Sequence, residues 1–352
     1  MVVARPAEFT CGVVLAGTFP WARSAFDRLA PRPLMPLVHR PLLVFALGWL
    51  QDAGLRCVVV CGNRNTRAIE KQLAPLAGLL DLSYLEDHMP RGAAGCAFDA
   101  AQSCRSHTFV VTDGTAMPNV DLTDVLRQHH DSGAAMTMVV YGEPRGAGES
   151  AVHVPAGVYV LNRWVVDAVA PYGFVDIKEH LIPKLVRAGE RIATYTAGSA
   201  VPRVLDARTY LAASEIAAEL MTSARALPPA YQRRGTALVH RDAAVDPEVI
   251  LAGRVVVAAG ASIGGRAVVI GPASIGCDAV IEPGAVVSRS AIWRRSRIAG
   301  SAVVDRSIIG DDAVVGQHRQ VYRSVVLGRS RPTQQWVSAT PSVAAHKPRS
   351  VA

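Results

Sequence analysis

Lysine is scarce in this 352-residue chain: four of its 37 basic residues are lysine, and the other 33 are arginine. Aromatic residues amount to 6% and do not interleave with the arginines, whose only dense group is Arg294, Arg295 and Arg297. A net charge of +8 without a basic stripe or stacking platform therefore reads as a solvated, arginine-rich surface, and no nucleic-acid partner is expected. No apolar run approaches the roughly 18–20 residues that span a bilayer, and the opening MVVARPAEFT has no apolar core behind its arginine. No membrane partner is expected, and a cytoplasmic protein is. The six cysteines form no CxxC pair, so buried free thiols fit better than disulfides or zinc ligands. With half its residues apolar and 19% charged, the chain is globular and long enough for two cores.

Two periodicities divide what is there. Up to about residue 220, short apolar runs (13–16, 57–61, 82–85, 109–112, 136–141, 157–161) alternate with helical patterns at 42–54, 66–80, 92–103, 121–132 and 174–188. Continuous apolar strands separated by helices predict an α/β, Rossmann-like domain whose parallel sheet is covered on both faces. After the proline-bearing stretch ALPPAYQRRG a period of six takes over. Val239, Val245, Leu251, Val257, Ile263, Val269, Ile275, Ile281 and Val287 follow at six-residue steps, and Trp293 keeps the beat. The beat then resets and runs through Val303, Ile309, Val315, Val321 and Leu327. Neither a helix nor a plain strand repeats every six residues. A left-handed parallel β-helix does, each hexad giving one side of a triangular coil and stacked coils burying a common core. The expected domains are 11–224 (nucleotidyltransferase-like α/β), 225–236 (linker), 237–329 (β-helix) and 330–352 (disordered tail).

Four stretches, in order, carry a resemblance. VVLAGTFPWAR followed by PRPLMPLVHRPLL matches a strand, L-A-G-G-x-G-T-R-L and P-K-P-L-x-P. LEDHMPRGAAGCAFDAA (85–101) is similar to E-x-P-L-G-T-A-G-A-L, FVVTDGTAMPNVDL (109–122) to F-x-V-x-N-G-D-x-x-x-D-x-D-L, and PAGVYVLNRWVVDAV to N-A-G-I-Y-V-L. With the hexads behind them, these motifs resemble the sugar-nucleotide pyrophosphorylases, mannose-1-phosphate guanylyltransferases among them. The resemblance implies the reaction NTP + sugar-1-phosphate to NDP-sugar + pyrophosphate, with Mg²⁺ if the chain is active and otherwise no cofactor. It implies nucleotide contacts at Leu15, Ala16, Gly17, Glu86, Gly92, Ala93 and Gly95, catalytic cations at Arg32 and Arg23, and Asp113 as a displaced metal ligand. It also implies a nucleotide or nucleotide-sugar partner, with an active paralogous subunit as a further one. A homo-oligomer built through the β-helix is expected because such a prism has flat faces and an open terminal coil to cover.

The departures from the family pattern fall on the chemistry. In-line attack on an α-phosphate needs backbone N–H groups near the triphosphate and cations to take up developing charge. The family's loop glycines correspond to Thr18 and Pro20, and proline has no N–H to give. Its Thr-Arg pair corresponds to Trp21-Ala22, with Arg23 one residue late, and its lysine to Arg32. Its two metal-binding aspartates correspond to Thr115 and Arg203, and Glu143-Pro144 is the remnant of an E-K-P motif. A catalytically degenerate paralogue that binds nucleotide sugar, regulates or scaffolds is the expected function. An active transferase with a rearranged site is the alternative. A hexapeptide acyltransferase using His240 or His318 is a third, although both read better as exposed corner residues. Asp113 reads more readily as a turn or N-cap aspartate before Gly114 than as a ligand, and Gly92–Gly95 equally as close helix packing.

Overall fold

The structure is a computed structural model and describes residues 9–17, 24–63, 65–76, 78–143, 152–224, 228–328 and 334–335. The loop candidates Thr18, Pro20, Trp21, Ala22 and Arg23, and Pro144, lie outside the described residues. So does the tail after residue 328, except Gln334–Gln335, which pairs as a strand with Ser324–Val326. Two compact units divide between Leu220 and Met221.

In the first unit the chain runs β1 (Thr10–Leu15), a small hairpin of β2 (Pro36–Leu37) and β3 (Arg40–Pro41), α1 (Leu43–Asp52), β4 (Cys57–Gly62) and α2 (Thr66–Leu73). It continues through β5 (Asp81–Glu86), α3 (Gly92–Ser103), β6 (Thr108–Asp113), α4 (Leu122–Ser132), β7 (Met136–Glu143) and β8 (Val152–Asn162). Then come α5 (Arg163–Asp167), α6 (Ile182–Arg187), β9 (Ile192–Ala197) and α7 (Ala207–Ser223). The sheet order is β5-β4-β1-β6-β8-β7-β9. The sheet is mostly parallel, but β8 runs antiparallel to both its neighbours.

Strand alternation sorts the apolar runs onto two faces, which is why they read as continuous. Val14, Val58, Val60 and Val110 pack under α1, α2 and α4. Cys11, Val13, Val59, Cys61, Phe109 and Val111 pack under α3, α5 and α6. Local signals set several ends. Asp121 caps α4 by accepting from the amides of Thr123 and Asp124, and Gly133 closes it at φ 60°. The pattern at 66–80 shortens to α2 plus a 3-10 turn over Ala74–Leu76, because Pro75 interrupts the amide ladder. The pattern at 174–188 becomes one π turn (Ile177–Leu181) and α6, the break falling beside Pro183. Strand β9 was not expected. It is an edge strand whose sequence IATYTA lacks an apolar run because much of it faces solvent.

The second unit opens with β10 (Tyr231–Arg234), a strand paired antiparallel with Ala237–His240 inside the stretch expected to be linker. Three parallel sheets then form a prism. One stacks Leu238, Val256, Ser274, Ala291, Ile308 and Val325 in register, another Ala244, Ser262, Val280, Arg297 and Val314, and the third Ile250, Val268, Val286, Val303 and Gln320.

The expected six-residue beat holds through Val287 and then fails in a regular way. Leu238, Val256 and Ser274 are 18 residues apart, whereas Ser274, Ala291, Ile308 and Val325 are 17 apart. Ile292, Ile298, Val304 and Val326 therefore enter the prism core, where the unbroken beat would have put Trp293, and the reset beat Val303 and Leu327. One corner of each later coil has lost a residue. Its sequence becomes Ser288-Arg289-Ser290, Asp305-Arg306-Ser307 and Tyr322-Arg323-Ser324, with the arginines at φ 46°, 45° and 43°. The buried serines replace the missing backbone. The Ser290 hydroxyl donates to Ser288 O at 2.6 Å and accepts the Ser307 amide at 3.0 Å. The Ser307 hydroxyl donates to Asp305 O at 2.8 Å and accepts the Ser324 amide at 3.1 Å. The arginines that made the dense group each meet an acid on a neighbouring coil: Arg294 with Asp311, Arg295 with Asp312 and Arg297 with Glu282.

Candidate nucleotide site at the switch point of the sheet

From β1 the chain steps to β4 and β5 on one side, and it later returns as β6 on the other. The crevice outside the carboxyl ends of β1 and β6 is thus the topological switch point, where open α/β sheets bind ligands. Leu15 and Asp113 face each other there in register, and the Gly114 amide donates to Leu15 O at 2.9 Å. A Cβ on Gly114 would stand 2.9 Å from Leu43, so this turn takes only glycine without a shift. Ala16 is buried and donates to Cys61 O at 2.8 Å, while Gly17 is exposed beside the Asn63 side chain. Leu15, Ala16, Gly17 and Asp113 are therefore brought together. Glu86 ends β5 at the same edge of the sheet, but two strands away from β1, about 10 Å.

Asp113 is fully engaged. Its Oδ1 accepts from the Thr115 amide at 2.8 Å and the Thr115 hydroxyl at 2.7 Å. Its Oδ2 accepts from the Arg203 guanidinium in a close ion pair. Arg203 reaches it because Ala116 and Arg203 form an antiparallel bridge, fixed by Met117 N to Pro202 O (2.8 Å) and Val204 N to Thr115 O (2.9 Å). The two positions where the family pattern has metal-binding aspartates are thus adjacent in space, as that pattern requires. They hold a hydroxyl donor and a fixed cation. These residues do not fit a divalent ion: the Asp113 carboxylate is already neutralised, and the guanidinium repels the ion. Burial, together with the charges of Asp176 and Asp113 and against that of Arg203, pushes the Tyr159 hydroxyl behind this pair up to about 12.

The base-side turn is also committed. The Ala94 and Gly95 amides at the start of α3 both donate to Val175 O, at 3.0 and 3.2 Å. Gly92 has φ +71°, and a Cβ there would come within 2.6 Å of Val175 O. The turn that holds Gly92, Ala93 and Gly95 is thus a docking joint for residues 173–176, with the Ala94 and Gly95 amides taken up by Val175 O. Arg91 completes the joint, bonding Asp99 at 3.0 Å and Ala170 O at 3.2 Å. Asp87, which sequence reasoning passed over for Glu86, turns inward. One carboxylate oxygen accepts the Arg91 amide at 3.2 Å, and the other is buried with no hydrogen-bond partner among the described residues. Desolvation pushes that carboxyl above the usual carboxylate range.

Arg32, expected to face phosphate, is held by Asp27 through contacts of 2.7 and 3.2 Å, and Asp27 in turn accepts from Ser24 at 2.7 Å. Of the two histidines of the acyltransferase alternative, only His318 is an exposed corner residue, at φ 58°. His240 instead ends a strand, half-buried, where it packs edge-on against Tyr231 and accepts the Asp242 amide at 3.2 Å. The Asp113–Arg203 pair escaped sequence reasoning although each residue was singled out, because 90 residues separate them.

A family model described as the GMPPB C-terminal domain matches residues 251–340. A mannose-1-phosphate guanylyltransferase of Mycobacterium tuberculosis is 28% identical over 79% of this chain and 78% of its own. A UTP–glucose-1-phosphate uridylyltransferase of Synechocystis is 24% identical over 80% and 82%. Among solved structures, HddC from Yersinia pseudotuberculosis overlays 58% of this chain and 98% of its own, with TM-score 0.49 and 14% identity. By its motifs, the family model over 251–340 and its sequence similarity to these two transferases, the chain is a sugar-nucleotide pyrophosphorylase-like protein.

Proposed function

We propose that this protein keeps the nucleotidyltransferase scaffold without the transfer reaction, binds a nucleotide or nucleotide sugar weakly, and serves as a regulatory or scaffold subunit. The observation that carries the reading is the Asp113–Arg203 ion pair, which puts a guanidinium where the family pattern has a metal-binding carboxylate. Without a metal bridge and with Arg32 tied to Asp27, little on the described residues would stabilise charge building on a departing pyrophosphate. The outer face of one prism side supports assembly with copies of itself or an active relative: Ile250, Val268, Val286 and Val303 stack on it in register, and Ile250 and Ile270 are exposed.

The test is incubation with Mg²⁺ and GTP plus mannose-1-phosphate, then with UTP, CTP, ATP and dTTP and matching sugar phosphates, while pyrophosphate is followed. No release above buffer is expected. Turnover of about 1 per second or faster, the ordinary enzyme range, would overturn the proposal in favour of an active transferase with a rearranged site.

A further inference from the structure

Five of the six cysteines lie on the α3 side of the sheet, and three of them converge. Cys11 is the second residue of β1, Cys57 opens β4 as its register partner, and Cys104 follows the last turn of α3. The Sγ atoms of all three lie within 4.8 Å of one another, and Cys57 approaches Cys11 at 3.6 Å. Cys11 is fully buried, and the other two are half-buried, so solvent reaches the cluster from one side. It sits at the amino ends of the strands, four residues along β1 from Leu15 and hence about 13 Å from the switch point.

We infer that Cys11, Cys57 and Cys104 form a three-thiolate site for a soft monovalent metal ion, copper(I). Metal–thiolate bonds of about 2.3 Å place three trigonal sulfurs about 4.0 Å apart, within the range found here, so the ion fits with shifts of a few tenths of an ångström. A disulfide would instead have to bring two of them to about 2.05 Å. Among the described residues no carboxylate or imidazole completes the cluster to four ligands, which disfavours a closed tetrahedral zinc site and suits an ion content with three soft donors. Binding replaces three S–H protons, released to solvent, by three S–Cu bonds, and leaves two net negative charges. Arg163 supplies a nearby cation: its guanidinium bonds Cys104 O at 2.7 Å and Ser106 O at 3.3 Å.

The experiment titrates the reduced full-length protein with copper(I) against a competing chelator, and in parallel with Zn²⁺. X-ray absorption then reads the bound shell. One copper(I) per chain in a sulfur-only, three-coordinate shell is expected. Cys57→Ser and Cys104→Ser should each weaken it at least tenfold, while Cys277→Ser in the other unit leaves it unchanged. Bound copper(I) should also protect Cys57 and Cys104 of the wild type from alkylation, a reading that needs no variant to fold. Equal affinity in Cys57→Ser, no protection, a preference for Zn²⁺, or oxidation of two of the three thiols to a disulfide in place of binding would each overturn the assignment.

Discussion

Arg203 reaches across from the strand-like segment beside Thr115 to close an ion pair with Asp113, and this contact turns a would-be metal site into a neutral one. Affinity for guanine nucleotides should therefore hardly differ among GMP, GDP and GTP, and EDTA should not change it. A triphosphate preference of tenfold or more, about 1.4 kcal/mol, that appears only with Mg²⁺ in calorimetry would refute this. Arg203→Asp combined with Thr115→Asp places three carboxylates at the switch point and should make nucleotide binding Mg²⁺-dependent. Arg203→Ala alone should cost no more than about 1 kcal/mol of stability, because the pair is part-exposed.

Gly92 is a joint before it is a ligand contact. Gly92→Ala forces a side chain into a left-handed conformation and against Val175 O, so a loss of about 1–3 kcal/mol in chemical denaturation is expected. Nucleotide affinity of the folded variant should stay within twofold. A large loss of affinity with normal stability would return this turn to the binding site.

His129 joins α4 to the sheet, its ring nitrogens meeting Thr137 at 2.8 Å and Asn162 at 3.1 Å. Burial lowers its proton affinity in the fold. The unfolded imidazole takes its proton near pH 6.5 while the folded one resists, so in that interval the unfolded state holds more protons. This contribution to stability is full above about pH 7, falls as pH drops through 6.5, and levels off below the folded value. Urea midpoints measured across pH should show the fall in the wild type, and His129→Gln should flatten it. An equal slope in both proteins would assign the effect to another group.

The serine staircase compensates for the shortened corner. Ser307→Ala removes the acceptor for the buried Ser324 amide and should cost about 1–3 kcal/mol. Ser307→Thr keeps the hydroxyl and, where its methyl is accommodated, should cost less. Equal losses in the two variants would mean that packing, not the hydrogen bond, holds the corner.

Assembly through the apolar prism face should be sensitive to charge. Ile250→Glu with Ile270→Glu, both on exposed positions, should leave the melting temperature within a few degrees and reduce the particle to a monomer in light scattering. An unchanged mass would move the interface elsewhere.

Spacing along the chain alone determined a good deal of this protein. Continuous apolar runs between helical patterns placed the sheet, and the six-residue beat announced a β-helix, because each depends on neighbours within a turn or a coil. The beat also concealed something. Losing one residue at a corner every 17 looks like a reset in sequence, yet the stacked Arg-Ser pairs show a regular shorter coil. The motif departures at Thr115 and Arg203 were likewise legible, but their consequence was not. Only strand order brings Arg203 to Asp113, Val175 onto the amides of Ala94 and Gly95, and cysteines 11, 57 and 104 into one cluster. Such contacts arise where segments distant in the chain share a sheet edge or a helix end, and local spacing carries no term for that distance.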